Sequence, residues 1–297
     1  MSGKDNSGDH SGNDNNEEKI HKKELNGPKK TKSVESKSKF TDKTITLKIF
    51  RINQNNEKSN SHFDEYKVSS KRWTTVLDTL LDVKSYQDHS ISLRYSCRMA
   101  SCGSCGMKIN GVPRLACYTK ISDLISEDDP DPTITCEPLA NFPYIKDLVT
   151  DFSQFFNHHR KIMPYIQNTK NDTIDSENLS EYVQSPEDLD KFLQFSYCIK
   201  CGLCYSSCPT VATDMNFPGP QALSQAYRYF IDTRDSANKT RFNIIDDRHG
   251  IWRCHFAGSC SHVCPKGVDP ALGIQLLRSH LLGFNKNEKK IAKLREK

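Results

Sequence analysis

The sequence predicts an α+β protein in which a small β-rich domain precedes an all-helical one. "TITLKIFRI" (44–52) alternates apolar and polar residues as a half-buried strand does, whereas the second half carries apolar residues at helical spacing. The third observation is the distribution of the twelve cysteines. All of them except Cys136 fall in three groups, at 97–117, 198–208 and 254–264. We expect domains at 43–140 and 141–285, with a disordered polar tail at 1–42 and a basic tail at 286–297.

The first domain is predicted to be a small mixed sheet with one helix and a long cysteine loop. Residues 44–52 and 63–68 form a hairpin, and "TTVLDTLLDVKSY" has the apolar spacing of a helix. Short strands follow around "GMKINGV", "LACYTKI" and "PTITCEPL", and Asn110-Gly111 is a strong hairpin turn signal. Cys136 lies within such a strand, and we expect it to be a core residue rather than a ligand.

The second domain is predicted to contain four main helices. The first begins at Asn141, with an apolar stripe that reaches Phe156, and the second begins at Ser185-Pro186 after a polar linker at 160–184. The third covers 219–235, and the fourth runs from Asp269-Pro270 to a stop near Gly283. We expect His158 and His159 to face solvent.

Composition narrows the possible functions. The net charge of +5 is small and its charges are scattered, so we expect no nucleic-acid partner. No apolar run is long enough to span a bilayer, residues 1–40 lack the apolar core of a signal peptide, and acidic residues near the start disfavour a transit peptide. We therefore expect a reducing, intracellular setting, where grouped cysteines bind metal rather than form disulfides.

The first cysteine group has the spacing of a [2Fe–2S] site. Cys97-x4-Cys102-x2-Cys105 with a distant Cys117 is the plant-type ferredoxin pattern, and Gly103 and Gly106 let backbone amides approach the sulfurs. The domain is accordingly predicted to be a plant-type ferredoxin (β-grasp) domain. A structural zinc site is the alternative, but its usual paired CxxC spacing fits less well.

The second and third groups follow the bacterial two-cluster ferredoxin pattern, in which the cysteine before proline reaches across to the other cluster. The helical domain is therefore predicted to be ferredoxin-like, with two clusters. Crossing Cys208 and Cys264 assigns a [4Fe–4S] cluster to Cys198, Cys201, Cys204 and Cys264. A second cluster receives Cys208, Cys254 and Cys260. Ala257 occupies the fourth ligand position there and cannot bind iron, which predicts a [3Fe–4S] cluster.

Other functions remain alternatives at this point. An open iron corner could serve a dehydratase, although the chain beyond the three sites is small for a substrate domain. A free multi-cluster carrier without an enzyme partner and a zinc-stabilised interaction module are further alternatives.

The three groups together resemble one family, the iron–sulfur subunit of succinate dehydrogenase and fumarate reductase (respiratory complex II). The resemblance covers about residues 44–283 and is carried by "SCRMASCGSCGMKINGVPRLAC", "CIKCGLCYSSCP", "FPGPQALSQAYRYFIDTRD" and "WRCHFAGSCSHVCPKGVDP". The resemblance implies that the chain is a subunit of succinate dehydrogenase (quinone), an enzyme that acts in the tricarboxylic acid cycle and in the respiratory chain. Electrons would pass singly from an FAD-containing flavoprotein subunit through [2Fe–2S], [4Fe–4S] and [3Fe–4S] clusters to a quinone.

The resemblance also implies partners and a location. Membrane anchor subunits would hold the chain as a peripheral protein on the cytoplasmic or mitochondrial matrix face. By position, Pro209, Thr210 and His255 are candidates to contact the quinone. Fumarate reductase, running in reverse, is the alternative within the family.

Overall fold

The computed structural model describes residues 42–52, 61–126, 128–168 and 183–283. Both predicted tails lie outside the described residues, apart from Asp42: these are 1–42 and 286–297. Most of the predicted polar linker also lies outside them. The described residues belong to one compact unit, and the division at residue 140 stays a prediction. No helix in these ranges is long and apolar enough to cross a membrane.

A five-stranded mixed sheet and one helix form the first half. They are β1 (Lys43–Arg51), β2 (His62–Ser70), α1 (Val76–Tyr86), β3 (Gly106–Ile109), β4 (Val112–Leu115) and β5 (Thr133–Glu137). The strand order is β2-β1-β5-β3-β4. Only the β1–β5 pair is parallel; β1–β2, β3–β5 and β3–β4 are antiparallel. The predicted hairpin of the first two strands and the predicted helix are confirmed.

Local sequence explains these elements. The alternation in β1 places Ile45 and Leu47, both 0% exposed, in the core that α1 also enters. Thr75 caps α1, since its hydroxyl accepts from the Asp78 amide while the Asp78 carboxylate accepts from the Thr75 amide. Asn110-Gly111 turns β3 into β4 with φ of 49° and 79°, as predicted. Cys136 is fully buried in β5, which confirms it as a core residue.

Nine helices make up the described part of the second half. They are α2 (Ser153–Lys161), α3 (Pro186–Asp190), α4 (Leu193–Ser196), α5 (Leu203–Ser206), α6 (Pro209–Thr213), α7 (Gly219–Phe230), α8 (Asn238–Ile245), α9 (Ser259–His262) and α10 (Pro270–Leu281). The predicted starts at Pro186 and Pro270 are confirmed, with Ser185 and Asp269 as caps. Gly273 lets α10 approach α4 and α7, because a Cβ there would lie 2.8 Å from the Phe195 ring on α4 and 3.3 Å from the Ser224 Cβ on α7.

The helix predicted from Asn141 is wrong. Residues 141–152 instead contain a short hairpin, β6 (Tyr144–Lys146) and β7 (Val149–Thr150), and α2 begins only at Ser153. Asn141 takes the left-handed conformation (φ 63°), and its side-chain amide donates to the carbonyls of Tyr205, Ser206 and Cys208 at 2.9–3.1 Å. These contacts lie more than sixty residues away along the chain. Tertiary contacts therefore override the helical stripe.

Two smaller predictions also differ from the structure. The strand expected in "LACYTKI" ends at Leu115, and Ala116–Tyr118 form a 3₁₀ turn whose first amide donates to the Cys105 carbonyl. His158 and His159 are buried rather than solvent-facing, at 8% and 7% exposed. They are buried because α2 packs against α7, where His159 contacts Gln221.

Candidate metal centres

The first cysteine group lies where the loop after α1 meets the β3–β4 hairpin. Gly106 pairs with Leu115 across the hairpin, so Cys105 and Cys117 are held beside each other just beyond its ends. Both are buried, while Cys97 and Cys102 lie in the loop and Cys102 is exposed. The sheet therefore positions two of the four predicted ligands and the loop supplies the other two.

Backbone amides of this loop point at the sulfurs. The Cys97 Sγ accepts from the amides of Met99 and Ser101 at 3.4 and 3.3 Å, and the Cys117 Sγ accepts from the amide of Ala100 at 3.3 Å. N–H donors stabilise a thiolate, the form that binds iron, and they are the usual second shell of iron–sulfur sites. The donor set fits a cluster.

Left-handed residues produce this arrangement. Arg98 and Ala100 have φ of 58° and 57°, and Gly103 has φ of 77°, which turns successive amides toward the inside of the loop. Hydrogen bonds from Ser104 and Cys97 lower the pKa of Cys102 to about 6. In contrast, burial raises the pKa of Cys105 to about 12.

The second site is a cavity lined by four cysteines. Two of them lie on the loop between α4 and α5, the third is in the first turn of α5, and the fourth follows α9. The four are Cys198, Cys201, Cys204 and Cys264. Burial raises the pKa of Cys201 to about 11, opposed by a backbone hydrogen bond from Leu203 and reinforced by the charges of Cys198 and Cys264. The cysteines predicted to share one cluster therefore lie together in space.

The third site is a second cavity, lined by Cys208, Cys254 and Cys260 together with Ala257. Burial raises the pKa of Cys260 to about 11, the Ser261 hydroxyl opposes this, and the charges of Cys208 and Cys254 add to it. Cys208 therefore lies with Cys254 and Cys260, as predicted, and not with the cysteines of its own sequence group. Which cysteines bind iron stays a prediction.

The loops of these two cavities repeat one backbone conformation. Lys200 and Gly202 have φ of 56° and 79°, and Phe256 and Gly258 have φ of 57° and 75°. Each glycine precedes a four-residue helix, α5 or α9. In this repeat Ala257 stands where Cys201 stands in the other loop, which is the position inferred from spacing.

The first and second sites adjoin through backbone. A Cβ on Gly103 would lie 2.7 Å from the Cys201 Cβ, and one on Gly106 would lie 3.3 Å from the Cys201 carbonyl oxygen. The second and third sites adjoin as well, because the charge of Cys260 contributes to the raised pKa of Cys204, after burial and the charges of Cys201 and Cys198. The second site therefore lies next to both the first and the third.

A single-ion site is a different arrangement. Within the described ranges, no three His, Cys, Asp or Glu side chains converge on a point that one metal ion would occupy. The cysteines of the second and third groups instead line cavities, as ligands of a core with several atoms do.

The three quinone candidates differ in position. Pro209 and Thr210 line the third cavity, Thr210 is 2% exposed, and its side chain hydrogen-bonds the Cys208 sulfur. His255 is exposed and does not line that cavity. Sequence reasoning missed Gln221, which lines the second cavity. The available signal was a glutamine among the buried apolar positions of α7.

Comparisons with known proteins agree with both halves. Residues 46–157 match the family "2Fe-2S iron-sulfur cluster binding domain", and residues 194–268 match "4Fe-4S dicluster domain". "Fumarate reductase iron-sulfur subunit" of Mycobacterium tuberculosis is 43% identical over 72% of this chain and 83% of its own length. The protein of the same name from Haemophilus influenzae is 39% identical over 77% of this chain and 90% of its own length.

Similar relatives include "Succinate dehydrogenase [ubiquinone] iron-sulfur subunit, mitochondrial" of Candida glabrata, 37% identical over 80% of this chain and 90% of that one. Among solved structures, the "Mycobacterium smegmatis Sdh1 complex in the apo form" matches with a TM-score of 0.70 and 26% identity. The match covers 81% of this chain and 97% of that chain.

Proposed function

The chain belongs to the family of iron–sulfur subunits of fumarate reductase and succinate dehydrogenase, and we propose that it carries electrons between a flavoprotein subunit and a membrane quinone. The enzyme would be succinate dehydrogenase (quinone), with the chemistry on succinate in the flavoprotein. The observation that carries the proposal is that the three cysteine sites are neighbours: the first loop packs against Cys201, and helices α5 and α9 of the second and third sites contact each other.

Three bound clusters would supply one-electron chemistry at these sites. Cys97, Cys102, Cys105 and Cys117 would hold [2Fe–2S] in a β-grasp domain, and Cys198, Cys201, Cys204 and Cys264 would hold [4Fe–4S]. Cys208, Cys254 and Cys260 would hold [3Fe–4S]. Two residues other than the cysteines contact these sites. Gly103 allows the first loop to pack against Cys201, and the Asn141 amide donates hydrogen bonds to the Tyr205 and Cys208 carbonyls.

The proposal of a three-iron centre is supported by Ala257. Its methyl group lines the third cavity at the position that Cys201 has in the second. A methyl group cannot ligate iron, so the corner of the cluster beside Ala257 would stay empty. Three thiolates carry less negative charge than four, which favours the reduced form and a higher potential than at the neighbouring site.

The quinone would be reduced near the third cavity. Thr210 is buried against Cys208, and Pro209 beside it is exposed, so this wall joins the cavity to the surface. His255, which follows Cys254 in the chain, is exposed. Membrane anchor subunits would complete the quinone site and hold the chain at the cytoplasmic or mitochondrial matrix face.

Fumarate reduction is the second candidate function. It is favoured by the relatives at 43% and 39% identity, whose names are fumarate reductase, against 37% for the Candida glabrata succinate dehydrogenase subunit. The direction depends on the cluster potentials relative to those of the quinone and of succinate/fumarate. Redox titration of the clusters, with identification of the membrane quinone, separates the two directions.

Electron paramagnetic resonance of the complex purified from membranes tests the proposal. A three-iron signal is expected in the air-oxidised sample and a [2Fe–2S] signal on reduction, with a flavoprotein in the same preparation. Ala257→Cys should convert the three-iron signal toward a four-iron one, raising iron content from about nine to about ten atoms per chain. Ala212→Cys, which adds an exposed thiol on α6, should leave the spectrum unchanged.

Each outcome decides something. A preparation without iron and acid-labile sulfide removes the electron-transfer function. A wild-type protein with two complete four-iron clusters, or an unchanged spectrum in Ala257→Cys, contradicts the three-iron centre. Iron-containing protein that leaves the membrane without a flavoprotein supports a free carrier instead.

A further inference from the structure

We infer that Gln221 is a positioning residue of the [4Fe–4S] centre, donating a hydrogen bond to Cys198 that raises the centre's reduction potential, with His159 orienting the Gln221 amide. The inference rests on the proposed function, because it takes the cluster at Cys198, Cys201, Cys204 and Cys264 as given. It adds a residue outside the cysteine pattern that sets how easily this middle site accepts an electron.

The first observation is where Gln221 lies. It is in the first turn of α7, is 1% exposed, and lines the same cavity as the four cysteines. An uncharged polar side chain in such a place must find partners, since an unpaired buried amide is costly. The partners of Gln221 therefore show what it does.

The first partner is His159 on α2. Its Nδ1 lies 3.1 Å from the Gln221 Nε2. Burial lowers the pKa of His159 to about 4, and the charge of Lys200 lowers it further. The imidazole is therefore neutral at neutral pH, and its Nδ1 can accept a hydrogen bond from the amide.

The second partner is the Cys198 sulfur. An amide nitrogen has two N–H groups, and His159 takes only one of them. Burial raises the pKa of Cys198, and the backbone N–H and charge of Lys200 oppose this, with a smaller contribution from a hydrogen bond donated by Gln221. Gln221 and Cys198 line the same cavity, so the second N–H of the amide has the thiolate within its surroundings.

The amide oxygen supports this orientation. Among the described residues, the Gln221 Oε1 is buried without a hydrogen-bond partner. Leaving an acceptor unpaired costs about 1–3 kcal/mol, so the orientation is favourable only if both N–H groups are used. His159 and an anionic sulfur together use them, and a charge-assisted bond is the stronger kind.

Other polar groups at this cavity are already engaged or exposed. The Ser224 hydroxyl donates to the Gln221 backbone carbonyl at 3.0 Å. Lys200 donates its backbone N–H to Cys198 while its side chain is exposed, and Lys266 is half-buried. Hydrogen bonds to cluster sulfurs stabilise the more negative, reduced state and so raise the potential. Gln221 is in the position to supply such a bond from a buried side chain.

The test is the midpoint potential of the [4Fe–4S] centre in the purified complex, measured by redox titration with electron paramagnetic resonance. Gln221→Leu keeps similar bulk and removes the donor, and we expect the midpoint to fall by at least 59 mV, a tenfold change in a one-electron equilibrium. His159→Leu should move it in the same direction by a smaller amount. Gln221→Met repeats the test with a flexible apolar side chain.

Gln225→Leu is the matched control. Gln225 is one turn further along α7, equally buried, and donates to the Phe195 carbonyl at 2.8 Å rather than to the cavity. In the Gln225→Leu variant, the midpoint potential of the [4Fe–4S] centre should stay at the wild-type value. In the unaltered protein, the reduced centre should also show a weak nitrogen hyperfine coupling that changes on ¹⁵N-glutamine labelling.

The inference is overturned if the [4Fe–4S] signal persists in Gln221→Leu or Gln221→Met with an unchanged midpoint. It is equally overturned if Gln225→Leu shifts the midpoint as much, or if labelling changes no coupling. Absence of a [4Fe–4S] signal from the wild-type complex is a different failure, since it removes the proposed cluster itself.

Discussion

Replacing Gly103 by alanine tests whether the first cysteine loop rests directly on the second. Gly103 has φ of 77°, and a Cβ there would lie 2.7 Å from the Cβ and 3.0 Å from the Cα of Cys201. Neither atom can move away by rotation of a side chain, because the Cα is backbone and the Cβ is attached to it. The two loops must therefore separate, or the loop around Gly103 must change conformation.

The structure allows the cost to be divided into two parts. A non-glycine residue in the left-handed conformation costs about 1–2 kcal/mol. Forcing an extra methyl group into packed surroundings costs about 1–3 kcal/mol more. We therefore expect Gly103→Ala to lower the free energy of unfolding by about 2–5 kcal/mol in total.

Gly111→Ala isolates the first part. Gly111 has nearly the same φ, 79°, but a Cβ there would meet nothing within 4 Å. Its cost should be only the backbone term, about 1–2 kcal/mol. Anaerobic denaturant titration of the holoprotein measures both variants, and the magnetic interaction between the reduced first and second centres should weaken only in Gly103→Ala.

The contact between the loops would be refuted by equal destabilisation of the two variants together with an unchanged magnetic interaction. A stability difference without a magnetic change would mean that the loop around Gly103 changes conformation while the two sites stay at the same separation.

Two further predictions concern buried ionisable side chains, the Asp235–Arg241 ion pair and His159. Asp235→Asn should cost about 3–5 kcal/mol, because it removes the carboxylate from Arg241, which is 1% exposed; Lys191→Ala, at a largely exposed pair, should cost at most about 1 kcal/mol. Equal small losses in denaturant titration would contradict the role of the buried pair. Burial, aided by Lys200, lowers the pKa of His159 to about 4, so the folded protein binds a proton less readily than the unfolded chain. Stability should therefore fall as pH drops below about 6.5, by up to about 1.4 kcal/mol per pH unit from this group, and His159→Gln should flatten that slope; the same slope in both proteins would contradict it.

Much of the candidate site could be predicted because its signals are local in sequence. The intervals among Cys198, Cys201, Cys204 and Cys208 constrain how a short loop can surround a cluster, whatever the rest of the chain does. The missing cysteine at Ala257 is visible by comparing the two runs, and the repeated left-handed backbone agrees with it. Helix starts at Pro186 and Pro270 follow similarly from a cap and a proline.

The failures share one cause. Asn141 and its neighbours carry an apolar stripe that suits a helix, but three carbonyls near residue 206 hold the Asn141 amide and the chain forms a hairpin. His158 and His159 are polar, yet both are buried: His159 contacts Gln221 on α7, and His158 contacts the Met215 carbonyl just before α7. Helical periodicity describes only the nearest few residues, and these partners come from far along the chain.

The amino-acid sequence alone determined the grouping of the cysteines, the intervals within each group and the helix starts at Pro186 and Pro270. Only the tertiary structure decided that Gly103 lies against Cys201, and that Gln221 faces the second cavity with His159 behind it. The reason is physical: ligand spacing is a property of one short loop, whereas the neighbours of a site depend on how separate segments pack.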